Sequence, residues 1–359
     1  MKSIQTITAT LVVATLFTCV SSADWSPQCY SAVKWTAPDQ GKNTIAYTSA
    51  QGITRVPMAY HGGVDWNESG SISEKNIENF TSWVNEYLPP DYCGPVVMDY
   101  ENPWRKDLSD ASIQPERLQQ ILSVFIKGIQ VAREALPRAQ WGYWGMPLLK
   151  NTSTRWQEQG LSLDSLTSQC SALYPDIYDS NPSNPLLEQT KEHITRVLEM
   201  AGGRIPVYVF VSPRFSGQGG DRSQFIPHDV FLKKVNAAMQ AAWVDDQGVQ
   251  HRIQGVIFWD SYKFTEESGW GDLDQKHTYY FRLLQALKLA WEKSMKDVQV
   301  DAGPTDSPSC RYALSEPQNS GDTIPARSNK NNTNRNEEIP RMENERVPSG
   351  RIRSNRIRE

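Results

Sequence analysis

No stretch beyond the first two dozen residues is apolar for long enough to span a bilayer, so no integral membrane segment is expected. No basic patch interleaved with aromatics stands in the body of the chain, whose net charge is −4 over 359 residues. Nucleic acid is therefore not an expected partner. No glycine-rich phosphate loop follows an early strand, which removes the usual nucleotide and dinucleotide signatures. Cysteines number five, and their spacings match no zinc motif. No metal, nucleotide or redox cofactor is expected.

What the chain does have is aromatic surface: twelve Trp and fourteen Tyr. Such a density fills a large core and also furnishes clefts in which indole stacks against the C–H faces of sugar rings. The N-terminus reads as an export signal over residues 1–23, with Lys2, the apolar run "ATLVVATLF" and the small residues Ser21, Ser22 and Ala23. A secreted protein is expected, or a periplasmic one in a Gram-negative host. Removing Cys19 with the signal leaves Cys29, Cys93, Cys170 and Cys310, an even number suited to an oxidising compartment. Four cysteines allow three pairings, and spacing does not choose between them. Sequons stand at Asn67, Asn79, Asn151 and Asn331.

Residues 304–359 are rich in Asn, Ser, Arg and Glu and almost free of aromatics. They bury too little apolar surface to offset their ordering entropy and are expected to be a disordered tail. Residues 24–303 form the expected folded domain. There, short apolar runs alternate with amphipathic stretches. The strand candidates are "YSAVKW", "NTIAYT", "VPMAYH", "PVVMDY", "WGYWGM", "ALYPDIY", "IPVYVFV" and "QGVIFW". The helical stretches show three- and four-residue spacing, as in Leu118, Ile121, Leu122, Phe125 and Ile129. This alternation predicts an α/β fold with parallel strands, a distorted TIM-like (β/α) barrel of seven or eight strands.

In such a barrel the chemistry gathers at the C-terminal ends of the strands. Several runs here end in polar or aromatic residues: Tyr60 and His61, Asp99 and Glu101, Tyr143 and Trp144, Asp176 and Tyr178, Ser212 and Arg214, Trp259 and Asp260. Asp99 and Glu101 stand two apart, so both side chains point to the same side of a strand. Paired carboxylates repel and one is pushed to hold its proton, as a general acid of glycoside hydrolysis must. They are too close along the chain to be an opposed double-displacement pair. They suit a scheme in which the sugar's own acetamido oxygen attacks the anomeric carbon. Alternatively Asp260 opposes Glu101 as a second catalytic carboxylate. Tyr143 and Trp144 point to opposite faces, so only one of them faces a cleft. Arg105 and Arg214 are placed to pair with the carboxylates or to grip an acidic sugar.

The surrounding sequence resembles the hyaluronidase family of glycoside hydrolases from about Cys29 to Lys288. "PPDYCGPVVMDYENPWR" is similar to the family segment that ends in Asp-Trp-Glu before a Trp-Arg-Pro turn. "AREALPRAQWGYWGMP" resembles its helix and Trp-Gly-Phe-Tyr-Gly-Phe-Pro strand. "ALYPDIY" resembles Ala-Leu-Tyr-Pro-Ser-Ile-Tyr, "GVIFWD" resembles Gly-Val-Val-Leu-Trp, and "AVKWTAP" and "TIAYTSAQG" resemble the first two strands. The resemblance implies retaining, acetamido-assisted cleavage of a β-linked N-acetylhexosaminide in a glycosaminoglycan-like polysaccharide. Glu101 would be the acid/base and Asp99 the residue orienting the acetamido group. Tyr174 and Trp259 would line the reacting sugar's subsite. From the strand ends, Tyr143, Tyr178 and Asp260 are further expected substrate contacts. In "IPVYVFVSPRF" the family's acetamido-holding tyrosine is replaced by Phe210 or Phe215, and Tyr208 is the expected substitute. The family's barrel disulfide implies Cys29–Cys310, leaving Cys93–Cys170. A barrel that binds carbohydrate without cleaving it is the rival from another class.

Overall fold

The computed structural model describes residues 25–178, 187–216 and 224–294. The expected signal, the expected tail and Cys310 lie outside the described residues. The first half runs β1 (Gln28–Ser31), α1 (Lys42–Ala50), β2 (Thr54–Arg55), β3 (Met58–Ala59), α2 (Glu74–Tyr87), β4 (Pro95–Met98), α3 (Arg105–Leu108), α4 (Pro115–Ala135) and β5 (Gln140–Tyr143). Two short helices follow, α5 (Thr154–Glu158) and α6 (Asp164–Thr167). Then come α7 (Leu187–Ala201), β6 (Tyr208–Val211), α8 (His228–Gln240), a hairpin of β7 (Trp243–Val244) and β8 (Gln250–His251), β9 (Gly255–Phe258) and α9 (Trp270–Ser294).

The long helices form where apolar periodicity predicts them; in α4, Leu118, Ile121, Leu122, Phe125 and Ile129 are all buried. One expected strand is a helix instead. "NTIAYT" lies within α1, because the Asp274 carboxylate of α9 accepts from Asn43 N at 2.8 Å and Thr44 N at 2.9 Å. Those two amides are among the unpaired donors that open any helix. A cap supplied from 230 residues away thus overrides the strand preference of β-branched Thr and Ile.

The fold is α/β with parallel strands. Regular ladders form a four-stranded sheet in the order β2-β1-β9-β6 and a three-stranded sheet in the order β3-β4-β5. Among the described residues they do not close into the expected barrel. Shorter pairings join the two sheets: Leu173 bridges Val207, Asp176 bridges Phe210, and Trp144 bridges Tyr174. Pro175 offers no N–H within this segment, so "ALYPDIY" pairs in single bridges rather than as a strand. On the other side, Val56 N donates to Ser31 O at 2.8 Å and Val97 N to Pro57 O at 3.0 Å.

β4, β6 and β9 are buried at all four positions, as strands covered on both faces are. Alternate residues belong to different clusters. Val96, Met98, Tyr143, Val209 and Phe258 pack with the helices. Tyr30, Met58, Val97, Tyr208, Phe210 and Ile257 pack only with other strand and bridge residues, and Trp144, Tyr178 and Trp259 sit against that second cluster.

Neither expected disulfide forms. Cys29 and Cys170 are buried free thiols. Cys29 faces α9 from β1 and Cys170 follows α6, and burial pushes their thiols up to about 11 and about 12. Cys93 is disulfide-bonded.

Candidate active site

The second cluster's face, followed past the strand ends, becomes a cleft of about 460 Å³. Val97 leads to Asp99 and Glu101, Ile257 to Trp259, and Phe210 to Ser212 and Arg214. In the same way Ala32 leads to Lys34 and Met58 to Tyr60. Each step is two residues, the repeat that keeps side chains on one face. Asp176 and Tyr178 enter from the bridging segment.

Asp99 and Glu101 meet different surroundings. The Asp99 Oδ1 atom is buried without a hydrogen-bond partner. Burial and the charge of Glu101 push its carboxyl up to about 7, while Lys34 and Arg105 pull it down. Glu101 accepts from Arg105 Nη1 at 2.7 Å, and both side chains are 41% exposed. The Arg105 guanidinium lies 4.6 Å from the Trp144 ring centroid. From Trp144 an aromatic wall continues, to Tyr178 at 5.7 Å and on to Trp259, stacked at 5.9 Å. Phe264 follows at 6.1 Å. A sugar chain presents flat apolar faces and a polar rim, which such a wall with carboxylates at its foot can accommodate.

The rim includes residues that were not among those expected from the sequence. Lys34 lies over the Tyr60 ring, 3.8 Å from its centroid, and Lys263 and Glu68 also line the cleft. His61 and Glu68 hold φ angles of 57° and 51°, a region unfavourable to side chains. Buried Asp65 anchors their loop, accepting from Tyr100 OH at 2.6 Å and Gly70 N at 2.7 Å. Two strained residues on one cleft rim fit the tendency of functional sites to hold strain.

Four expected contacts lie elsewhere. Tyr143 points to the helix face, donating to Phe125 O at 2.8 Å. Tyr174 and Tyr208 share the cleft's face but sit a layer beneath it, stacked at 5.7 Å. Tyr174 OH donates to Gln140 O, and Tyr208 OH to Gln140 Oε1 at 2.6 Å. Asp260 is fully buried, accepting from Arg214 Nε at 2.8 Å, Ser261 N at 2.8 Å and His277 Nε2 at 2.8 Å. It follows Trp259 by one residue and so points away from the cleft. Among the described residues no group of three or more His, Cys, Asp or Glu is arranged to hold a metal ion, and no helix is long and apolar enough to cross a membrane.

No protein-family model and no curated protein matches the chain. Among solved structures it is similar to bee venom hyaluronidase, at 13% identity over 74% of this chain and 99% of that chain, with a TM-score of 0.49. A structure of bee venom hyaluronidase with a hyaluronic acid tetramer gives 14% identity over 76% and 99%, with a TM-score of 0.48. An endo-1,4-beta-D-mannanase from Thermotoga petrophila gives 12% identity over 66% and 78%, with a TM-score of 0.37.

Proposed function

We propose that this chain is an exported glycoside hydrolase of hyaluronidase type, built as a distorted (β/α) barrel and cleaving β-linkages next to an N-acetylhexosamine in a glycosaminoglycan-like polysaccharide. The observation that carries the reading is the orphaned Asp99 Oδ1 beside Glu101, in a cleft walled by Trp144, Tyr178 and Trp259. A buried acceptor with no partner is costly unless a ligand supplies the donor. An acetamido N–H is such a donor, and its capture turns the acetamido oxygen toward the anomeric carbon.

On binding, the acetamido N–H donates to Asp99, whose proton passes to Glu101, and Glu101 then gives it to the leaving glycosidic oxygen as the C1–O bond breaks. The acetamido oxygen closes on C1, and the positive charge that spreads over the new ring is offset by the Asp99 carboxylate. Water then attacks C1, Glu101 takes its proton, and the ring reopens with retained configuration. Trp259 and Tyr178 supply the stacking platform. The double-displacement alternative loses its second carboxylate, since Asp260 is enclosed by Arg214, Ser261 and His277.

The test is a product-resolved digestion of hyaluronan, chondroitin and chitin oligomers beside the same polymers stripped of their acetyl groups. Cleavage confined to acetylated substrates is expected. Efficient cleavage of the deacetylated ones would sink the acetamido-assisted mechanism, and binding without any cleavage would leave the carbohydrate-binding rival.

A further inference from the structure

Arg105 has two carboxylates within reach, one from each side of the cleft. Its Nη1 donates to Glu101 Oε2 at 2.7 Å, while its Nη2 lies 4.0 Å from Asp176 Oδ2. The Trp144 ring, 4.6 Å away, supports the guanidinium between them. The three groups differ in how firmly they are held. Asp176 is the fixed one, its side chain only 15% exposed and its Oδ1 accepting from Tyr178 N at 3.2 Å. Gly145, at φ 70°, leaves the room into which Asp176 Oδ2 points; a Cβ there would stand 3.1 Å from that oxygen. Glu101 and Arg105 are each 41% exposed, and an ion pair in that setting is weak and readily opened.

We propose that Asp176 is a positioning residue acting through Arg105: it takes the guanidinium from Glu101 when substrate enters, freeing Glu101 to deliver its proton. A displacement of about 1 Å converts the 4.0 Å approach into a hydrogen bond. The inference rests on the acid role proposed for Glu101. In the resembling family a serine stands at this position, so the device belongs to this chain. Among the described residues, the other charges around the cluster are Asp99 beyond β4, Lys34 beyond β1, Glu68 in the loop after β3 and Lys234 on α8, with Arg214 and Lys263 lining the same cleft.

Two readouts separate this inference from the glycosidase reading. The first is carboxyl 13C NMR titration of the Asp99–Glu101 pair, in which Asp99 holds its proton to about 7. The second is the basic limb of kcat/KM against pH. Asp176→Asn leaves the whole Arg105 charge on the pair, so both should move down by about one pH unit. Asp176→Glu, which keeps the charge, should restore them. Arg105→Gln should move both up, and the double variant Arg105→Gln with Asp176→Asn should behave as Arg105→Gln alone. An unmoved titration in Asp176→Asn overturns the inference. So does a drop that survives in the Arg105→Gln background, since that is a direct field rather than an effect through Arg105. If the titrations follow Arg105 while no polymer is cleaved, the coupling stands and the glycosidase reading falls. If polymer is cleaved and nothing moves, only the coupling falls.

Discussion

Two arginine–carboxylate pairs stand beyond the strand ends, nearly equal in length and opposite in burial. Arg105 meets Glu101 at 2.7 Å with both side chains 41% exposed. Arg214 meets Asp260 at 2.8 Å with side chains 3% and 0% exposed. Around Asp260 the carboxylate oxygens have protein partners: Arg214 Nε, Ser261 N and His277 Nε2. Arg214 donates further to Thr265 Oγ1 at 2.8 Å. That cluster ties the chain beyond β6 to the chain beyond β9 and to α9. Near Glu101 the neighbouring Asp99 Oδ1 has no partner at all. A satisfied buried charge is a brace, whereas an unsatisfied one beside an exposed pair waits for a ligand.

The sharpest way to break this contrast is to neutralise one carboxylate on each side. Glu101→Gln should lower kcat by about 10³-fold or more, in line with the loss of a general acid, with Tm unchanged within about a degree. Asp260→Asn should act the other way. It leaves the Arg214 charge enclosed with a poor partner, and urea unfolding should show a loss of about 3–5 kcal/mol. Activity per folded molecule should fall far less than in Glu101→Gln. A stable Asp260→Asn protein with no activity would return Asp260 to the catalytic set.

Asp99 lies between these cases, a carboxylate that the fold tolerates for the sake of the site. Its folded value of about 7 stands above the ordinary value of 3.8. The stabilising side of this linkage is therefore acidic, and stability is lost as pH rises toward 7. From pH 5 to pH 8 this one group should cost the wild type about 3 kcal/mol. Asp99→Asn should lose none of it and should be the more stable protein at pH 8, while its kcat drops. The same proton sets the activity profile. Glu101 delivers it once substrate binds, so kcat/KM should fall above about pH 7. Paired unfolding curves at pH 5 and 8 test the first statement, and a pH–rate profile the second.

Much of this contrast is written in the two-residue repeat of the strands. In "GVIFWD" buried Ile257 and half-buried Trp259 share one face, and Phe258 and Asp260 share the other. The same repeat puts Val97, Asp99 and Glu101 together and separates Trp144 from Tyr143. Depth along the strand is harder to read: Tyr208 has the right face but stands four residues short of Ser212, so it fills the layer beneath the cleft. Lys34 was legible in principle, two residues beyond Ala32. Glu68 and Lys263 were not, because a loop has no repeat to follow. Long-range partners also left no local trace. Asp274 makes a helix of "NTIAYT", and the free thiols of Cys29 and Cys170 contradict the pairing implied by family resemblance.

Tyr143 gives the smallest and most discriminating effect, because its place at a strand end put it at the substrate and the two-residue repeat puts it behind the wall. Its hydroxyl donates to Phe125 O at 2.8 Å and rests where a Cβ on Gly128 would come within 2.2 Å. Gly128 therefore makes the space that the hydroxyl fills between β5 and α4. Tyr143→Phe removes one buried hydrogen bond and leaves a void too small for water, while Phe125 O keeps its place in the helix. A loss of about 1 kcal/mol on unfolding is expected, with kcat and KM unchanged. A rise in KM with no loss of stability would place the hydroxyl at the substrate and undo the face assignment of β5.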